Sequence, residues 1–151
     1  MSAIRKSSPD ADYTVYFSFC ESVAQTDEHI LITSLINGLK NIAHYVKPGT
    51  QVPNDSVAAN KRIQAAIVAS TVKENESYLG KVSFVLVRQE MADVILFPRS
   101  PEGIFCVVAR RPYDLDKMTT SILEALQALQ PTAVDDKDDG NNKSKEENKL
   151  W

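Results

Sequence analysis

DEHILITSLINGLKNIAHYV, residues 27–46, is the stretch whose reading decides how this chain folds. Two readings fit it. In the first, Thr26 or Asp27 caps a long helix, and Ile32, Leu35, Ile36, Leu39, Ile42, Ala43 and Val46 form its apolar stripe. In the second, Ile30–Leu35 and Leu39–Val46 are strands joined at Asn37-Gly38. Asn-Gly between apolar runs signals a hairpin because both residues tolerate positive φ. The preceding segment follows the choice. A long helix leaves Tyr13–Cys20 as a strand, whereas a hairpin leaves Tyr13–Ala24 as a leading helix.

Downstream the pattern is plainer. Lys81–Arg88 alternates, with Val82, Phe84, Leu86 and Arg88 on one face and Ser83, Val85 and Val87 on the other, which predicts a strand. Asp93–Phe97 is a second strand, closed by Pro98, and Arg99–Gly103 is a turn. Ile104–Arg110 is a third strand; both its faces are apolar, so it belongs at the centre of a sheet covered on each side. These three make an antiparallel meander. After Pro112, Asp114 caps a helix whose Leu115, Met118, Ile122, Leu126 and Leu129 share a face, and Pro131 ends it. Pro53–Ser56 supply helix-start chemistry for an Ala-rich helix over residues 57–74.

The ends differ in composition. Residues 1–12 are polar, and residues 131–149 are highly charged with almost no apolar content before the closing Leu150 and Trp151, so 1–12 and 131–151 are expected to be disordered around one domain at 13–130. Apolar residues make up 43% of the 151, enough for a core, and charged residues 25%. The net charge of −3 and the scattered Lys and Arg give no nucleic-acid footprint. The polar start predicts no secretory signal, and the longest apolar runs are too short to span a bilayer. With Cys20 and Cys106 its only cysteines, the chain is expected in a reducing cytoplasm.

A search for chemistry finds little. His29 and His44 have no Cys or carboxylate at ligand spacing, so no metal is expected. Cys106 lies in the apolar run IFCVV and reads as a packed thiol rather than a nucleophile partnered by His44. The five glycines are isolated and build no phosphate loop, so no cofactor is expected either. The carboxylate pairs Asp27 and Glu28, Glu74 and Glu76, and Asp114 and Asp116 lie near helix ends or loops, where capping explains them. Arg110 and Arg111, near Arg99, read as a solvated strand end, and Tyr13, Tyr16, Phe17 and Phe19 as packing aromatics. No catalytic residue is assigned, and the chain is expected not to be an enzyme.

Taken with the hairpin, the pieces RIQAAIVAST, KVSFVLVR, DVILFP, GIFCVVAR and LDKMTTSILEALQAL resemble the roadblock family of small α/β domains. The resemblance covers about residues 57–130, and 28–46 in the hairpin reading. It implies one antiparallel, mainly five-stranded sheet in the order α-β-β-α-β-β-β-α. It also implies a non-catalytic scaffold that pairs with another roadblock-like subunit, as a homo- or heterodimer. Pairing would use the strand after the Ala-rich helix and that helix, hence Val82, Phe84, Leu86 and Arg88 with Arg62, Ile63, Ala66, Ile67 and Ser70. Members of the family hold small GTPases in Ragulator-type complexes at lysosomal, endosomal or vacuolar surfaces in TORC1 signalling, and others are dynein light chains. Membrane contact would come only through a partner. The long-helix reading would instead make the chain an assembly chaperone or adaptor of unrelated α/β fold.

Overall fold

Asn37 pairs with Lys40 across a loop in which Gly38 has φ of 66°, so residues 27–46 are a hairpin. A computed structural model describes residues 9–38, 40–52, 55–99 and 103–129, without the side chains of 9–12, 55–62 and 69. The elements are α1 (Pro9–Gln25), β1 (Ile30–Asn37), β2 (Lys40–Val46), α2 (Asp55–Lys73), α3 (Glu76–Leu79), β3 (Val85–Arg88), β4 (Asp93–Pro98), β5 (Gly103–Ala109) and α4 (Leu115–Ala128). The sheet is antiparallel in the order β2-β1-β5-β4-β3.

The helical stripe in residues 27–46 has a different physical origin. β1 is covered on both faces, with Ile30, Thr33, Leu35 and Ile36 all buried. A strand covered twice shows a nearly continuous apolar run, which periodicity alone does not separate from a helix. The segment before it is helical. Cys20, Val23 and Ala24 are buried on one face of α1, and Phe19 packs edge-on to Phe105 at 5.2 Å between centroids. α1 starts at Pro9 and so takes in the last four residues of the polar leader, 9–12, expected to be disordered; proline fits a first helical turn, where its missing N–H has no partner to lose. Residues 1–8 and the charged segment 131–151 lie outside the described residues.

α1 and α4 cover one face of the sheet. Cys20, Val23, Ile30, Ile95, Phe97, Phe105, Val107, Met118, Ile122 and Leu126 form a single core there. Asp114 caps α4 as expected, accepting from the Lys117 N–H at 3.0 Å. α2 covers the other face, where Ala65 and Ala66 pack with Val85, Val87, Leu96 and Ile104. Thus α2 lies over the β3–β4 side of the sheet, and β3 is an outer strand.

The strand expected over Lys81–Arg88 is shorter, running only from Val85. Pro98 explains this. The Arg99 N–H donates to Gly103 at 2.8 Å, so odd-numbered residues of β4 bond β5 and even-numbered ones face β3. By the register Val85↔Leu96, Pro98 would meet Ser83, and it has no N–H to donate.

Candidate functional site

The free side of β3 is the feature best placed to act on another molecule. Val85 and Val87 face β4, and the N–H and C=O groups of Leu86 and Arg88 point away from the sheet. Such an edge is a template for another strand. Beside it, α2 turns Ile63 (40% exposed) and Ile67 (59% exposed) to solvent. Two isoleucines one helical turn apart, exposed next to an unpaired strand, make an apolar flank to that edge.

The structure divides the residues that the resemblance nominated. Ile63 and Ile67 are exposed, as is Ser70, and Ala66 packs on the sheet. The side chain of Arg62 lies outside those described. Phe84 and Leu86 turn inward against the α1–α4 core, and Phe84 stands 5.9 Å from Phe97, centroid to centroid. Val82 is half-buried before the strand, with its N–H 3.5 Å from a Glu76 carboxylate oxygen. At this edge, then, β3 offers its backbone outward rather than the side chains of Phe84 and Leu86. Alternation in the sequence correctly grouped those residues on one face, but it does not say whether that face looks to a partner or to the chain's own core.

Arg88 has a partner that sequence reading missed. Its Nε and Nη2 donate to the fully buried carboxylate of Asp93 at 3.1 and 2.8 Å. Tyr113 Oη donates to the same group at 2.6 Å, and Arg111 Nη1 donates to it as well. The Arg88 bond, then those of Tyr113 and the charge of Arg111, hold Asp93 at a pKa of about 2 despite its burial. Burial, then the bond to Asp93, pushes Tyr113 up to about 12. Arg111 also donates to the carbonyls of Gln89 and Glu90, each at 3.0 Å, and so holds the β3–β4 turn. The expectation of a solvated strand end is corrected for Arg111 and stands for exposed Arg110. Asp93 opening the apolar run DVILF was the available signal: a carboxylate buried at a strand start needs cationic partners.

Other candidates for chemistry are dispersed. His29 Nδ1 sits 2.9 Å from Asp27, which also accepts from the His29 N–H, so this pair shapes the α1–β1 loop. His44 is exposed on β2 beside Asn41. Cys106 and His44 each stand opposite Ser34, which places them two strands apart, about 10 Å and beyond hydrogen-bond reach. Burial pushes the Cys106 thiol up to about 12 and Cys20 to about 11, the reverse of what a nucleophile needs. Among the described residues, no group of three or more His, Cys, Asp or Glu is placed to hold a metal ion. No helix among them is long and apolar enough to cross a membrane.

No family model and no curated protein matches this chain. Solved structures do. A Roadblock/LC7 domain from Streptomyces avermitilis superposes with a TM-score of 0.61 at 14% identity, over 74% of this chain and 91% of that one. Gliding protein MglB from Thermus thermophilus gives 0.62 at 14% identity, over 79% and 88%. MglC from Myxococcus xanthus gives 0.57 at 17% identity, over 76% and 96%. The fold is therefore that of a roadblock-type domain.

Proposed function

We propose that this chain is a non-catalytic adaptor that pairs with a second roadblock-like subunit through β3 and α2 and helps assemble a small-GTPase regulatory complex. One observation carries the reading: the outward backbone of Leu86 and Arg88 lies beside the exposed Ile63 and Ile67. A partner strand satisfies the first and a partner helix covers the second. Sharing its fold with MglB, one structure of which is described as having a tetrameric arrangement, supports an assembling role. The setting we propose is Ragulator-like: a scaffold in TORC1 signalling, cytoplasmic, and peripheral on an endosomal, lysosomal or vacuolar membrane through its partners.

Affinity purification of the tagged chain from its own cells, followed by mass spectrometry, tests this. A second roadblock-like chain together with small GTPases is the expected yield. Recovery of dynein chains instead would move the adaptor to a motor, and a chain recovered alone would overturn the pairing role.

A further inference from the structure

The sheet has a second outer strand, β2, at the edge opposite β3. Lys47 N–H donates to the Leu31 carbonyl at 2.9 Å, so Ala43, Tyr45 and Lys47 bond β1, and the N–H and C=O groups of His44 and Val46 point away from the sheet. Among the described residues, no turn or loop bond takes up those outward groups.

Two features beside this edge select what it receives. One is charge. Residues 38–52, GLKNIAHYVKPGTQV, hold Lys40, His44 and Lys47 and no carboxylate. Lys40 and His44 are exposed. Lys47 donates to the Asp27 carbonyl at 3.0 Å, while the Asp27 carboxylate is engaged by His29. Lysine on an edge repels another edge of its own kind, and like charges facing each other destabilise a strand pair. A second copy of β2 would bring only the same cations, whereas a strand carrying Asp or Glu would meet Lys40 and Lys47. The other feature is an aromatic wall. Tyr45 lies on the α1 side of the sheet, with Phe17 edge-on at 6.0 Å and Tyr13 stacked on Phe17 at 5.8 Å, centroid to centroid. Gln25 Nε2 donates to the Tyr45 hydroxyl at 3.3 Å and steadies the ring. Tyr13 is 46% exposed. A side chain set opposite Tyr45 on an added strand shares its face of the sheet and lies against this wall.

We propose that the β2 edge receives an acidic, extended segment of a partner protein as an added strand. Its backbone bonds His44 and Val46, its Asp or Glu side chains lie near Lys40 and Lys47, and an apolar side chain between them rests on Tyr45, Phe17 and Tyr13. In such an addition the main-chain bonds supply affinity and the flanking side chains supply selectivity. The surface is separate from β3 and α2, so the proposal does not rest on the pairing role.

Selection of a displayed library of random decapeptides on the full chain tests this. Fluorescence polarisation with the most enriched synthetic peptide then compares variants, with circular dichroism to confirm that each is folded. The expected sequences carry Asp or Glu on both sides of a β-branched or aromatic centre. Val46→Pro removes an outward N–H and leaves the β1 ladder intact, so it should weaken that peptide about tenfold or more. Lys40→Glu should weaken it a few-fold, as should added salt. Enrichment of basic or uncharged peptides overturns the acidic partner, and a library that yields no binder overturns the site. An acidic peptide indifferent to Val46→Pro and Lys40→Glu but lost on Ile63→Asp/Ile67→Asp sits at β3 and α2, which overturns the β2 site and leaves the pairing role standing. A mass in solution that falls on Val46→Pro would make a second copy the occupant and overturn the partner segment.

Discussion

Arg111 and Asp93 stand 18 residues apart in sequence, yet the guanidinium of one bonds the fully buried carboxylate of the other. That contact ties the start of β4 to the chain entering α4. Arg88 reaches the same carboxylate from β3, so the outer strand is fastened to the core by charge as well as by the sheet ladder. A buried carboxylate with two arginines and a tyrosine is satisfied, and removing it strands its partners.

Asp93→Asn is therefore expected to destabilise the fold by about 2 kcal/mol, less than for a fully buried pair because Arg88 remains half in water. The pH dependence has a definite sign. The folded pKa of about 2 lies below the ordinary value of 3.8, so the contribution is full above about pH 4 and is lost as pH falls toward 2. Denaturant midpoints measured between pH 6 and about 2 should show an acid-side fall that is shallower in the Asn variant.

Arg111→Lys keeps a cation and loses the fork that reaches both Gln89 and Glu90. Amide hydrogen exchange in the 89–92 turn should quicken, with little change in β5. Unchanged exchange would mean that the turn does not need the clamp.

Much of this fold was legible in the sequence, and the failures have physical causes. α4 was clear because its one buried face gives a clean spacing and Asp114 marks its start. β5 was correctly placed at the centre because both its faces are apolar. Residues 27–46 stayed open because β1, buried on two faces, imitates a helix, and only Asn37-Gly38 argued otherwise. The candidate edge was legible as a strand, but its extent was not, since the ladder stops where Pro98 on a different strand withholds a donor. The Asp93 cluster was missed because its members are near neighbours only after β3, β4 and α4 come together.

Ile122 is 1% exposed and faces the α1–α4 core. Ile122→Ala should cost about 3 kcal/mol, from lost burial and the cavity left behind. A thermal or urea unfolding curve measures it, and a cost below about 1 kcal/mol would contradict the packing described.

Thr33 is fully buried, and its hydroxyl donates to the Cys20 carbonyl at 2.8 Å, pinning α1 to β1. Thr33→Val preserves shape and should cost about 1 kcal/mol. The same unfolding measurement decides it.

Both thiols are pushed up, to about 11 at Cys20 and about 12 at Cys106, chiefly by burial. At pH 8 the folded chain should react with a thiol reagent at least about tenfold more slowly than the unfolded chain. A rapid reaction of either thiol in the folded protein would contradict their placement.

The central claim is that β3 and α2 form a pairing surface. Its most direct test is the mass in solution of the complex purified through this chain, compared with the same preparation from Ile63→Asp/Ile67→Asp. The predicted result is a one-to-one pair with a roadblock-like chain, itself or another, that is lost in the double variant while the fold is kept. A monomer, or a pair that survives both aspartates, would contradict it.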